Sequence, residues 1–428
     1  MALLIIHEIN KKRLYHKFKC LLYKIIEVIG YIMESIKEIY KIGYGPSSSH
    51  TMGPAKAAII FKQRNINAAK FSVELFGSLA LTGRGHLTDK AIINVLGDAT
   101  EVIFNYDYVY DYHPNAMLFK AYDNSNAPLD EWLVFSIGGG ALKEENEKID
   151  IKKDIYPHNT MSEILKYCNK NDISLIDYIE AFEGDDLFIY LDEVFNQMES
   201  SIKEGLNAGG ILPGELHLDR KASSMYKKYE DSKDKESLLF ALTLAVAEVN
   251  AGGGKIVTAP TCGSAGVVPG VLFTEYYLGN YKKEEIINAL AIAGMICNIV
   301  KTNGSISGAE VGCQGEVGVA CSAAAAALTY LRGGNIFYIE YTAEIALEHH
   351  LGMTCDPIYG LVQIPCIERN AMASGFANYA SSYALKTSSD HYVKFDSVVA
   401  VMMETGKDIH AKYRETSIGG LALRTKKL

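Results

Sequence analysis

Residues 316–331 read EVGVACSAAAAALTYL. Five consecutive alanines flanked by Leu, Val and Cys are strongly helix-forming, and the run is apolar nearly all round rather than along one stripe. A helix of that kind belongs in the middle of a helical core. Its neighbours have the same texture: SLLFALTLAVAEVNA, EEIINALAIAGMICNIV and FDSVVAVMMETGKDIHAKY each carry apolar residues at helical period. From about Met161 onward the chain therefore reads as an all-helical domain, residues 160–428.

Upstream the pattern changes. Residues 33–155 mix a helix after Gly53 (PAKAAIIFKQR), a helix at TDKAIINVLG, and strand-like alternation in FSVELFGSLA and ATEVIFNYDYVYDYH. This is the texture of an α/β domain. The charged stretch LKEENEKIDIKKDIYP, from Leu142 to Pro157, suits an exposed linker between the two. Residues 1–32 interleave apolar residues with Lys, Arg and His and hold no apolar run of the roughly 18 residues needed to span a bilayer. They read as a dispensable extension ahead of Met33, with an amphipathic membrane-surface helix as the alternative.

The whole chain has 428 residues, a net charge of −9 and 48% hydrophobic content. That is too apolar for a disordered protein and of the wrong sign for a nucleic-acid coat. Eight cysteines at irregular spacing, with no cleavable signal peptide ahead of them, argue against a secreted disulfide framework and for a reducing cytoplasm.

Several polar segments exceed what turns require. Gly43-Tyr-Gly-Pro-Ser-Ser-Ser-His-Thr-Met-Gly-Pro54 packs Ser47, Ser48, Ser49, His50 and Thr51 between Gly/Pro breaks just before a helix, where one serine would suffice as a cap. Hydroxyls and free N–H groups so placed suit a carboxylate or phosphate. His86 lies in the Gly-rich turn GSLALTGRGHLTD, and His113-Pro-Asn115 is a third, shorter polar group. Thr258-Ala-Pro-Thr-Cys-Gly-Ser-Ala-Gly-Val-Val-Pro269 interrupts two apolar helices and brings Thr261, Gly263 and Ser264 forward as ligand-facing candidates. Asn303 is a further candidate. Gly138-Gly-Gly140 and Gly252-Gly-Gly-Lys255 match neither a Walker loop nor a dinucleotide fingerprint, and no lysine has a pyridoxal-phosphate context.

The cysteines divide into two kinds. Cys297 and Cys321 sit inside apolar helical runs, as structural thiols do. Cys313, Cys355 and Cys366 are flanked by Gly, Pro, acids and amides, which resist continuous helix. Three such thiols suggest metal ligands; closed zinc sites prefer four ligands in C-x-x-C pairs, whereas an iron–sulfur cluster on three thiolates keeps one iron open. Scattered core or redox cysteines remain the alternative at this level.

Taken together, SSSHTMGP, GSLALTGRGHLTDKA, HPN, TAPTCGSAGVVP, SGAEVGCQGEVGVA and EHHLGMTCDPIYGLVQIPCIERNAM resemble, in order, the single-chain iron–sulfur L-serine dehydratases. The resemblance spans nearly everything from Met33 onward. It implies an α/β domain similar to the allosteric substrate-binding domain of some phosphoglycerate dehydrogenases and an all-helical catalytic domain. It also implies a [4Fe–4S] cluster on Cys313, Cys355 and Cys366, no pyridoxal phosphate, L-serine as substrate, a cytoplasmic homodimer, and no membrane partner. Ser47, Ser48, Ser49, Thr51, Thr261, Gly263, Ser264 and Asn303 are expected around substrate, with His50 and His86 as base or orienting groups; Lys301, Glu310 and His349 compete for that role. Related enzymes acting on threonine or cysteine, or a non-enzymatic serine sensor, are the rivals. Two departures stand out. Some members end in a cysteine that can occupy the fourth iron position, whereas this chain ends RTKKL, so its resting cluster is expected to be completed differently. Many members carry Asn where this chain has Cys262, which alters a polar contact or brings a fourth thiol near the cluster.

Overall fold

The computed structural model describes residues 32–145 and 154–423. The expectations for most of the N-terminal extension, the middle of the charged linker and the last five residues lie outside them.

The α/β layer is a five-stranded sheet in the order β4-β3-β5-β6-β7, built from β3 (Lys70–Phe76), β4 (Glu101–Asn105), β5 (Ala116–Tyr122), β6 (Pro128–Gly138) and β7 (Ala141–Lys143). β3 and β4 run parallel and the other neighbours antiparallel. Alternation decides the buried face: Phe71, Val73 and Leu75 point inward from β3, beneath Phe61 of α1 (Gly53–Arg64) and Ile92 of α3 (Thr88–Leu96). Between β3 and α3 lies α2 (Ser78–Thr82). The strand reading of ATEVIFNYDYVYDYH holds only for Glu101–Asn105. Beyond it the tyrosines form an edge-on aromatic cluster, with Tyr110 against Phe76 at 5.2 Å and Phe135 at 5.7 Å, in place of a ladder.

The helical body contains α4 (Met161–Asn171), α5 (Leu175–Glu183), α6 (Asp185–Asn207), α7 (Ala222–Ser232), α8 (Lys235–Ala251), α9 (Val267–Tyr277), α10 (Lys283–Asn303), α11 (Gly308–Val311), α12 (Val319–Leu331), α13 (Ile336–Glu348), α14 (Cys366–Ala384) and α15 (Phe395–Asp408). The alanine run forms α12, buried on every side and packed between α10, α13 and α14. Small side chains let those helices approach closely. α10 is long and apolar enough to cross a membrane by composition, but most of its apolar window is buried inside this bundle.

The seam between the two parts differs from the expected boundary. β1 (Met33–Glu34) pairs with β8 (Asp154–Tyr156), and β2 (Ile42–Tyr44) pairs with β9 (Lys255–Val257), so short strand pairs interrupt an otherwise helical body. Met33, Ile36, Ile39 and Tyr40 are buried in the helical core, and the Tyr40 hydroxyl donates to the Leu290 carbonyl at 2.7 Å. Residues 33–44 thus pack with the helices. The missing side chain of Gly294 leaves the room that Ile36 fills.

Candidate active site

Cys313 precedes the π-helical turn Gln314–Gly318 that opens into α12. Gly312, at φ +77°, ends α11 and turns the chain; a Cβ there would lie 2.6 Å from the Met353 carbonyl. Cys355 is pinned by the C-terminal segment, its N–H donating to the Tyr413 carbonyl (2.7 Å) and its own carbonyl accepting from the Glu415 N–H (2.6 Å). Cys366 is not in a loop: it is the first residue of α14, where free N–H groups favour a thiolate. All three are buried.

Their thiols share one chemical environment. Cys313, Cys355 and a carboxylate oxygen of Glu316 lie within 4.8 Å of one another. The Cys355 thiol donates to Cys313 and so lowers it to about 6, helped by the Arg369 guanidinium and the Val317 N–H against the effect of burial. Cys355 is raised correspondingly, and burial raises Cys366. Burial together with the Cys313 charge pushes Glu316 up to about 8. Gly308 admits this packing, since a Cβ there would stand 2.6 Å from Glu316 Oε2 and 3.3 Å from Cys355 Sγ. Three buried soft thiols, crowded with carboxylates around the Arg369 guanidinium, form a donor set that fits an iron–sulfur cluster.

A second cluster abuts the first. His50, His86 and Glu415 place ligand atoms within 4.8 Å of one another, and the His50 and His86 rings stand 4.5 Å apart. Glu415 Oε1 lies 3.5 Å from His50 Nδ1 and 3.9 Å from His86 Nε2, while its Oε2 is buried without a hydrogen-bond partner among the described residues. Burial holds both imidazoles below their ordinary value, His86 at about 3, and raises Glu415 with help from the Glu316 and Cys313 charges. The hydrogen-bond chain assigns the His50 tautomer. Ser78 Oγ donates to the Glu415 carbonyl (2.7 Å), so it accepts from His50 Nε2 (3.0 Å); His50 Nδ1 is then the lone-pair nitrogen, facing Ser49 Oγ at 2.8 Å.

The other expected residues divide. Ser49 contacts His50, and Cys262 lies 3.9 Å from the Met52 sulfur, with Ser48 donating to its thiol and the Glu316 charge close by. Thr261 hydrogen-bonds Glu316, and Gly263 leaves a Cβ position 3.3 Å from Glu316 Oε1. Ser47 and Thr51 are committed within the chain: Ser47 Oγ accepts the His50 N–H (3.1 Å), and Thr51 Oγ1 donates to the His86 carbonyl (2.7 Å). A buried π-turn must satisfy its own polar groups, and these hydroxyls do so. Ser264 Oγ likewise stays with Thr261 Oγ1 at 3.1 Å. Asn303 is exposed at the end of α10, its amide donating to the Asn159 and Ile299 carbonyls. Lys301 pairs with Glu34 at 2.7 Å, and the half-exposed His349 pairs with its own helix. Sequence reading missed Glu316, Arg369 and Glu415 as site residues. Of these, Glu316 was legible from its surroundings, because it stands beside Cys313 in SGAEVGCQGEVGVA.

Two family models match the chain: the serine dehydratase beta chain over residues 35–100 and the serine dehydratase alpha chain over residues 136–422. Among curated proteins, an L-serine dehydratase of Haemophilus influenzae is 39% identical over 92% of this chain and 99% of its own length. One from Streptomyces coelicolor is 38% identical over 91% and 98%, and L-serine dehydratase 1 of Escherichia coli is 38% identical over 92% and 99%. With both matched regions on one polypeptide and a thiol cluster facing a histidine pair across their seam, the chain belongs to the serine dehydratase family.

Proposed function

We propose that this protein is an L-serine ammonia-lyase, converting L-serine to pyruvate and ammonia with a [4Fe–4S] cluster held by Cys313, Cys355 and Cys366. The observation that carries the reading is the backbone hydrogen bond from Glu415 to Cys355, which joins the three-thiol pocket to the His50–His86 pair. Elimination of water from serine needs a Lewis acid on the hydroxyl and a base at the α-carbon. When bound, the cluster supplies the Lewis acid. His50 supplies the base: burial keeps it neutral, and its lone-pair Nδ1 can take the α-proton. The aminoacrylate released by elimination tautomerises and hydrolyses in water.

The N-terminal layer is read as similar to an allosteric substrate-binding domain that here also delivers catalytic groups. A cytoplasmic homodimer completes the reading, with exposed Met372, Tyr379 and Tyr383 on α14 and the fully exposed Tyr392 as apolar surface for association.

Anaerobically purified protein is expected to be brown and active. Activity should decay in air and return with ferrous iron and a thiol reductant, with serine slowing the decay, because an iron open to substrate is open to oxidants. Full activity after prolonged aerobic handling with a chelator would remove the cluster from the mechanism. A colourless, stable protein that binds serine without turnover would point to a sensor.

Glu415 acts as a positioning residue, closing the far side of both imidazoles. Glu415→Gln is expected to lower kcat about 10–100-fold, the size of a hydrogen bond to a charged group. KM and iron content should stay near wild type. An equal change in KM alone would place Glu415 in substrate binding instead.

A further inference from the structure

Four buried polar atoms beside the site lack hydrogen-bond partners among the described residues: His113 Nε2, Asn115 Oδ1, Ser136 Oγ and Ser307 Oγ. None of the four residues is more than 7% exposed. Buried polar groups are nearly always paired, so a contiguous set of orphans marks the place of something that binds.

These residues are contiguous in space. The Asn115 amide donates to the Ser136 carbonyl (3.2 Å), and the Ser136 N–H donates to the Asn115 carbonyl (2.9 Å). Two residues on along β6, Gly138 (φ +102°) leaves a Cβ position 3.4 Å from Ser307 Cβ, so Ser307 reaches in from the helical body. Gly53 packs directly on Ser136 Oγ beside the turn that holds His50. The Ser78 N–H donates to the Pro114 carbonyl (3.1 Å), tying the His113–Asn115 segment to His50's own hydrogen-bond partner.

The hydrogen bonds also define what each orphan offers. His113 Nδ1 accepts the Asn115 N–H at 3.1 Å, so a neutral ring carries its proton on Nε2 and donates there. The Asn115 amide nitrogen is used by Ser136, which leaves Oδ1 as an acceptor. The two serines bring hydroxyl donors. Three donors and one acceptor match a carboxylate and an ammonium held side by side. A single water would answer only part of this set.

We propose that His113, Asn115, Ser136 and Ser307 form the cradle for the α-carboxylate and α-ammonium groups of the amino-acid substrate. This rests on the dehydratase reading and deepens it: Ser47 and Thr51, whose hydroxyls are committed internally, give way to a cradle shared by both parts of the chain. Substrate bound there presents its α-carbon toward His50 and its hydroxyl toward the thiol pocket.

L-Alanine tests the cradle apart from the reacting hydroxyl, because it has the same carboxylate and ammonium and nothing to eliminate. In the anaerobically prepared holoenzyme, Ser307→Ala and His113→Phe are each expected to raise KM for L-serine and the inhibition constant of L-alanine together, about 10–100-fold, with kcat changed far less. Asn115→Ala should do the same. Iron content and the thermal midpoint of Ser307→Ala, the smallest deletion, should match wild type. Constants within about twofold of wild type in both Ser307→Ala and His113→Phe would overturn the cradle, as would a KM that rises while L-alanine inhibition does not. Failure of the wild-type enzyme to deaminate serine would instead sink the dehydratase reading itself.

Discussion

Cys313→Ser, Cys355→Ser and Cys366→Ser are each expected to abolish iron binding and turnover, while Cys297→Ser and Cys321→Ser keep both. The difference lies in surroundings rather than burial, since all five thiols are buried. Burial pushes Cys297 and Cys321 well above the ordinary thiol range, each inside an apolar helix. Such thiols stay protonated and inert. Cys313 is lowered to about 6 by the Cys355 thiol, Arg369 and the Val317 N–H, which is the environment of a ready ligand. Iron and acid-labile sulfide per chain, with the visible absorption of each variant, decide the matter. If Cys297→Ser or Cys321→Ser loses as much iron as Cys355→Ser, the ligand assignment is wrong.

His50→Gln is expected to lower kcat by at least about 100-fold, the low end for loss of a general base, with iron content unchanged. Glutamine can keep the donor to Ser78 Oγ but has no basic nitrogen to replace Nδ1. His50→Ala should lose the same activity and also about 1–3 kcal/mol of stability, because the buried Ser78 and Ser49 hydroxyls each lose a hydrogen-bond partner. Ser49 reads from sequence as a contact for the substrate carboxylate; its 2.8 Å approach to His50 Nδ1 ties it to the base instead. Steady-state kinetics on His50→Gln distinguish the roles: a normal kcat with only an altered response to serine concentration would make this turn regulatory.

Primary structure suffices to place the helical core, because an alanine-rich run without a polar face has nowhere to lie but inside other helices, as α12 does. It suffices as well for the two textures and the family, since the polar segments stand in a distinctive order. It also singles out Cys313, Cys355 and Cys366 from the core thiols, because Gly and Pro flanks are local features that local reading can see.

Where the two parts meet emerges only from the folded chain. Residues 33–44 look like the start of the α/β domain, yet they pack with the helices, because the space beside Gly294 is visible only once α10 is placed. Glu415 carries no signal in an ordinary polar tail; it enters the site because the chain pairs Arg414 with Cys355, a long-range contact that no periodicity encodes. The serines of the Ser47–Thr51 turn show the converse. Their composition suggests an anion site, but a hydroxyl is available only if its own backbone does not need it, and here burial of the turn makes that demand first. His113, Asn115, Ser136 and Ser307 lie far apart in the chain and look like ordinary turn and strand residues, and folding is what leaves their polar atoms buried, adjacent and without partners among the described residues.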